Sequence, residues 1–273
     1  ITSGLTYTHL DQETAGYILG FESYKDTQIA KSNPNPEAFR KAESFRLWSK
    51  LDTTFNGGHA LSITPYVRNQ DMRFRMHFLP GKPLETNAQQ GVGVLSQFNY
   101  FINDNLSTDI GVDVEYTEGE LTQSQDSVTA GSAFLVETIP VGKHYDYDVD
   151  ATLFAPFFIF NWQAERWTIS AGGRFESMKY DYINNMNVGR VREDGTECGF
   201  GGCRYSRPAD SDNDYDNFSP KLTVRYQLNE HTQLFGGVAR GYRAPQATEL
   251  YRLQRGQLVT DLDSVTADNI EVG

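Results

Sequence analysis

Apolar and polar residues alternate one by one through most of this chain. Trp167, Ile169, Ala171, Gly173 and Phe175 fall on one side of such a stretch, and Thr168, Ser170, Gly172, Arg174 and Glu176 on the other. Successive side chains of a strand point to opposite faces, so the pattern predicts strands with one apolar and one hydrated face. Ile110, Val112, Val114 and Tyr116 oppose Asp109, Gly111, Asp113 and Glu115 in the same way, as Leu222, Val224, Tyr226 and Leu228 oppose Lys221, Thr223, Arg225 and Gln227. Read throughout, the chain predicts eleven strands: 1–10, 14–24, 42–54, 59–72, 90–102, 106–117, 144–161, 167–182, 215–227, 232–242 and 267–273. In 232–242 both faces carry apolar residues and the pattern selects neither. Pro65 and Pro156 interrupt two others, where a missing N–H argues for a bulge or a position outside the central pairing.

The connections sort by length. Asp11-Gln12-Glu13, Asn56-Gly57-Gly58, Asn103-Asp104-Asn105, Gln163-Ala164-Glu165 and Asn229-Glu230-His231 are short turn sequences. Between them lie the long polar segments 25–41, 73–89, 118–143, 183–214 and 243–266. A soluble sandwich has no reason to alternate its loops this strictly, whereas a barrel standing in an outer membrane has short turns at one end and long loops at the other. The stretch from Trp167 to Glu176 also matches the ~9–11 residues that a tilted strand needs to cross hydrocarbon. The fold class is therefore all-β, an antiparallel transmembrane β-barrel. Phe55, Tyr100, Phe101, Trp162, Trp167 and Tyr226 flank the short turns, and Phe21, Tyr24, Tyr116, Tyr145, Tyr147, Tyr180 and Tyr182 lie near the long loops. Two such bands suit the aromatic girdles at the two headgroup levels, although Tyr and Phe are also simply good strand residues.

Composition narrows the choice. With 24 Lys and Arg against 36 Asp and Glu, the formal charge is −12, which argues against a nucleic-acid partner held by an extended basic surface. Aromatics make up 13% of the residues, too many for a disordered chain. The longest nearly unbroken apolar run, 153–160, is far short of the ~20 residues of a spanning helix. Cys198 and Cys203, in Cys-Gly-Phe-Gly-Gly-Cys, are too few for a structural zinc site and read as a small disulfide, with a pair of free thiols as the alternative.

The segment after Asp216 carries Asn217-Phe218-Ser219-Pro220-Lys221-Leu222, then Gly241-Tyr242-Arg243-Ala244-Pro245, Glu249-Leu250-Tyr251 and Asn269-Ile270-Glu271-Val272-Gly273. This set resembles the later barrel strands of TonB-dependent outer-membrane receptors, and 145–151 and 203–210 are similar to members of that family as well. The resemblance implies a 22-stranded barrel, about half of it in this chain, in the outer membrane of a Gram-negative bacterium. It implies lipid and lipopolysaccharide around the barrel, and uptake of a scarce nutrient such as a ferric siderophore, driven by the TonB complex. The family's plug and TonB-contacting segment have no counterpart in the pattern, so residues 1–273 are expected to be a partial barrel domain excerpted from a longer chain. Lumen charges such as Arg174, Glu176 and Arg225 would then pack against that plug. A passive porin or structural barrel would share the periodicity, as would a barrel with surface hydrolase activity.

The chemistry of the residues points to binding, not catalysis. Asp210-Ser211-Asp212-Asn213-Asp214 begins like a calcium loop, but Tyr215 and Lys221 stand where an EF-hand needs Gly and Glu. Asp146, Asp148 and Asp150 share a strand face and read as water-facing. His9, His59, His77, His144 and His231 are scattered, so no metal centre is expected, and neither is a cofactor. The longest loop holds Arg190, Arg192, Arg204 and Arg207 with Tyr205, and Tyr180 and Tyr182 lead into it. Guanidinium groups offer paired donors to carboxylates and aromatic rings offer flat contact area, which suits an anionic iron chelate. The same arginines could instead be counter-charges to Asp194, Asp210, Asp212 and Asp214.

Overall fold

The computed structural model describes residues 1–257 and 261–273. In chain order it contains β1 (Thr2–Glu13), α1 (Thr27–Ala30), β2 (Phe39–Thr54), β3 (Ala60–Arg75), β4 (Leu84–Asn103), β5 (Leu106–Gln125), α2 (Ala133–Thr138), β6 (Gly142–Ala164), β7 (Trp167–Asn184), β8 (Tyr205–Ser206), β9 (Ser211–Asn229), β10 (Thr232–Arg243), α3 (Ala247–Tyr251), β11 (Leu253–Gln254) and β12 (Val265–Val272). A 10-stranded antiparallel sheet follows chain order from β1 to β12, omitting only β8 and β11, which pair with each other. The sheet is open, a partial barrel with β1 and β12 at its edges. Among the described residues no helix is long and apolar enough to cross a membrane.

The expected strand at 14–24 is not formed. Asp11, Gln12 and Glu13, expected to turn, extend β1 instead and pair with Lys41, Arg40 and Phe39. Lys41 meets Asp11 at 2.8 Å across this pair. Gly20 and Glu22 adopt positive φ, and Asp26 caps α1 by accepting from the Gln28 and Ile29 amides, so 14–38 is a single long loop. The correction sharpens the sorting. Among the described residues, every short turn (55–59, 104–105, 165–166, 230–231) lies at one end of the sheet, and every long loop (14–38, 76–83, 126–141, 185–210, and 244–257 with 261–264) lies at the other.

Registers carry the apolar face from strand to strand. Ile110 lies opposite Phe98 and Phe158, Val114 opposite Val94 and Phe154, and Leu222 opposite Ala171 and Val238. These side chains are substantially exposed, Ile110 by 46%, as expected of a face whose packing partner is lipid. Tyr226 pairs with Leu234 and Leu222 with Val238, which settles the ambiguous strand: Leu234 and Val238 point outward, while Gln233, Phe235, Gly237 and Ala239 line the inner side with Lys221, Thr223 and Arg225. Pro65 and Pro156 both sit on the outward face, inside strands. Pro65 stays in register with Val94, but pairing with β2 lapses between Trp48–Tyr66 and Leu51–Ile63. Pro156 pairs with Val112, and pairing with β7 lapses between Phe154–Ser177 and Phe157–Arg174. Each proline thus interrupts one ladder, the one its missing N–H cannot serve.

The opposite face is concave. Residues from β2, β3, β4, β5, β6, β7 and β9 converge on one cavity of about 870 Å³, among them Lys50, Asp52, Asp113, Arg174, Ser219 and Lys221. Near the short-turn end, Asp109 accepts from the side-chain amides of Gln97, Asn99 and Asn161 at 2.9–3.0 Å. Higher up, Arg68 and the Tyr66 hydroxyl donate to Glu115, and Arg174 pairs with Asp113.

Candidate functional site

At the long-loop end the strands rise into a second core. Tyr145 and Tyr147 on β6 and Tyr180 and Tyr182 on β7 occupy the same inward face as Phe157 and Arg174, so they cannot join an outer girdle; of the upper aromatics named from the sequence, Tyr116 is the one on the outward face of the wall. They are buried beneath loops 185–210 and 244–257, which fold over the mouth of the concave face with Leu121, Val149, Leu250 and Tyr251. Tyr251 stacks on Tyr182 at 4.1 Å. The Tyr145 hydroxyl donates to the Leu253 carbonyl at 2.6 Å, and that of Tyr180 to the Pro245 carbonyl at 3.0 Å. The β8–β11 pair joins the two loops, and Arg252 reaches across the mouth to Glu85 on β4 at 3.0 Å.

The arginines expected to bind ligand divide sharply. Arg207 is 2% exposed, and its guanidinium donates to the carbonyls of Asn187, His144, Val191 and Arg192. It also lies 5.2 Å from the Tyr205 ring. Tyr205 is itself buried and stacked on His144 at 4.5 Å. Arg207, Tyr205, Tyr180 and Tyr182 are therefore buried within the loop core in this arrangement. A guanidinium used by four carbonyls is neither a free donor nor a counter-charge to the loop aspartates. Arg190 is similarly engaged, donating to the Cys203 and Gly202 carbonyls at 2.9 Å, and Arg192 pairs with Glu137 at 3.3 Å. Arg204 alone of the set is exposed with no side-chain partner among the described residues; its backbone N–H donates to Thr138. Cys198 and Cys203 are joined as a disulfide. Among the described residues, no group of three or more His, Cys, Asp or Glu side chains is placed to hold a metal ion.

A family model described as TonB dependent receptor-like, beta-barrel, matches residues 2–273. The chain belongs to that family. Solved structures with the same fold include the ferric citrate transporter FecA (15% identity, TM-score 0.64), the siderophore receptor PiuA from Acinetobacter baumannii (11%, 0.64) and the ferric-catecholate import receptor Fiu from E. coli K12 (12%, 0.62). The matches cover 88%, 99% and 99% of this chain but 33%, 44% and 46% of those chains, so this chain spans less than half the length of its structural relatives. A comparison with curated protein sequences gave no match. The family is one of TonB-dependent transport receptors, not enzymes, and its barrels are typically outer-membrane proteins of Gram-negative bacteria.

The residues that carry the family resemblance prove to be structural. Arg243 bridges both carboxylate oxygens of Glu249, and Glu249 accepts from the Gln246 backbone N–H at 2.7 Å, closing the capping box of α3. That short helix is what delivers Leu250 and Tyr251 into the loop core. Hydrogen bonding from Arg243 holds the Glu249 carboxyl below its ordinary range. Pairing of β9 with β10 ends at Lys221–Ala239, beside Pro220. Phe218 lies over Gly173, where a Cβ would stand 2.4 Å from the ring.

Proposed function

We propose that this chain forms part of an outer-membrane receptor that captures a scarce nutrient, most readily a ferric siderophore or other iron complex, at its long-loop end and admits it with TonB-supplied energy. One observation carries the reading: every long loop lies at the end where the concave, charged face is roofed, while the convex face carries a band of exposed apolar side chains from Leu5 and Tyr7 on β1 to Ile270 and Val272 on β12. A wall of that kind surrounds an aqueous interior and faces lipid and lipopolysaccharide outside. The proteins that share its fold, a ferric citrate transporter, a siderophore receptor and a ferric-catecholate import receptor, favour iron as cargo. The plug and TonB-contacting segment would come from parts of the protein outside residues 1–273, and charges such as Arg174, Glu176 and Arg225 would meet that plug. No nucleic-acid partner is proposed.

The test is growth of a deletion strain on iron chelates, cobalamin and oligosaccharides, with and without a functional TonB. Loss of growth on one nutrient, matched by loss of TonB, supports the reading. Uptake that is indifferent to TonB for every nutrient tried would sink it in favour of a passive barrel.

A further inference from the structure

Between β9 and β10 the wall parts. The two strands pair from Thr232–Asn229 to Ala239–Lys221 and no further, although β9 continues to Ser211 and β10 to Arg243. Beyond that point β9 pairs with β7 alone, and β10 with β12 alone. The break begins at Pro220. The Gln227 N–H donates to the Arg166 carbonyl on the β7 side. Backbone groups of a strand alternate between its two edges, so those of Pro220, Phe218, Asp216, Asp214 and Asp212 face β10. Pro220 has no N–H to give. Arg240, next in register to oppose it, is turned to Asp268 on β12 with hydrogen bonds of 2.6 and 2.9 Å. The long-loop half of β9 is thus an edge strand inside a sheet: among the described residues, no backbone group pairs with it on that side.

The gap holds a cavity of about 510 Å³, lined by 213–217, Tyr242, 261–264 and Thr266. Its charged lining has one sign, with Asp214, Asp216, Asp261 and Asp263 and no Lys, Arg or His. Lys179 lies across from Asp214 on β7, on the far side from the gap. Asn217 also lines the cavity; it is 8% exposed, and its side-chain nitrogen has no hydrogen-bond partner among the described residues.

We propose that this edge is a docking site for an extended cationic peptide, which adds to β9 as a further strand. A free edge offers its N–H and C=O groups as a template, and strand addition uses them directly. Asp214 and Asp216 lie on one face, so a strand seated beside them is stabilised by Lys or Arg at two positions two residues apart, because opposite charges facing each other across a pair attract. The intervening peptide residue points to the other face, where the Asn217 amide is a donor in need of an acceptor. The inference is independent of the nutrient carried and of TonB coupling.

The test uses the full-length protein purified in detergent and a fluorescent peptide of alternating Lys and Val. One control is the same peptide N-methylated throughout, which keeps its charges but has no backbone donor; another has Glu in place of Lys. The Lys peptide should bind, and binding should slow exchange of the Asp212, Asp214, Asp216 and Phe218 amides about tenfold or more. The amides of Asn213, Tyr215 and Asn217, already paired to β7, should not change. N-methylation should weaken binding about tenfold or more, the Glu peptide should not bind, and the pair Asp214→Asn with Asp216→Asn should weaken binding about five- to tenfold. Both aspartates are exposed, so the fold tolerates their neutralisation. No binding, equal binding of the methylated peptide, an unaffected double variant, or unchanged exchange at 212–218 overturns the inference. Slow exchange of those four amides in the free protein also overturns it, since the chain would then be closing its own edge.

Discussion

The wall and the cap of this molecule solve opposite problems with the same residue types. In the wall, Ile110, Phe158 and Leu222 point away from the protein and are close to half exposed, because lipid completes their packing. In the cap, Tyr145, Tyr147, Tyr182 and Tyr251 point inward and are buried, because the loops must build a core of their own above the membrane. The wall satisfies its backbone through long ladders, as hydrocarbon requires. The cap has two-residue strands at most, and satisfies much of its backbone with side chains, above all Arg207. A regular ladder tolerates replacement of its hydrated residues, whereas an irregular core depends on a few polar hubs.

The largest effect should follow from reversing the polarity of the wall. Ile110→Arg places a guanidinium between Phe98 and Phe158 on the lipid side, and should cost about 3–4 kcal/mol of folding stability in a bilayer. Lys221→Leu on the concave face should change stability by under about 0.5 kcal/mol. Folding equilibria of the full-length protein in lipid vesicles would measure both. Equal costs would mean that the faces are not distinguished by lipid.

The cap should fail separately. Arg207→Met removes the donor to four carbonyls, and each buried acceptor left without a partner costs about 1–3 kcal/mol before water compensates. A net loss of about 2–3 kcal/mol is expected, seen as faster hydrogen exchange and proteolysis in 185–210 and 244–257, with amides of β3 to β5 unchanged. Faster exchange throughout the wall would mean that cap and wall fold as one unit.

Legibility in the sequence divides along the same line. The wall was readable because period-two alternation is enforced wherever one side meets lipid and the other water; its faces at 109–116, 167–176 and 221–228 were read from residues alone. The error at 14–24 shares a cause with the error in the girdle. Tyr17, Leu19 and Phe21 alternate like a strand, but they are exposed in a loop, since Asp11 to Glu13 found pairing partners in Phe39 to Lys41. Tyr145 and Tyr182 lie near the loops as a girdle would, but position along a strand does not reveal that a loop will fold back over them. In the cap, the arginines were recognisable as special by type and not by role. Arg207 and Arg204 are indistinguishable in the sequence, and only the path of the backbone determines which one is enclosed by carbonyls.

The smallest expected effect concerns the contact between two loops of the cap's margin. Lys82 in 76–83 donates to Glu37 in 14–38, and this hydrogen bond holds the Glu37 carboxyl near a pKa of about 2, well below its ordinary range. A carboxyl whose pKa is lowered in the folded state stabilises that state above its unfolded pKa, and the contribution is lost as pH falls towards the folded value. The tether should therefore be constant from neutral pH to about 5, and weaken between about 4.5 and 2. Both side chains are exposed, so water and salt keep its worth below about 1 kcal/mol, and the wall should show no step in that range. A spin-label distance between the two loops would broaden as pH falls through this window, and Glu37→Gln would give the broadened distribution at every pH. If instead the distance is unchanged from pH 7 to 2, the loops are held together by contacts other than this ion pair, and the margin of the cap, where Ala38 and Met76 are each buried, resembles its core more than its surface.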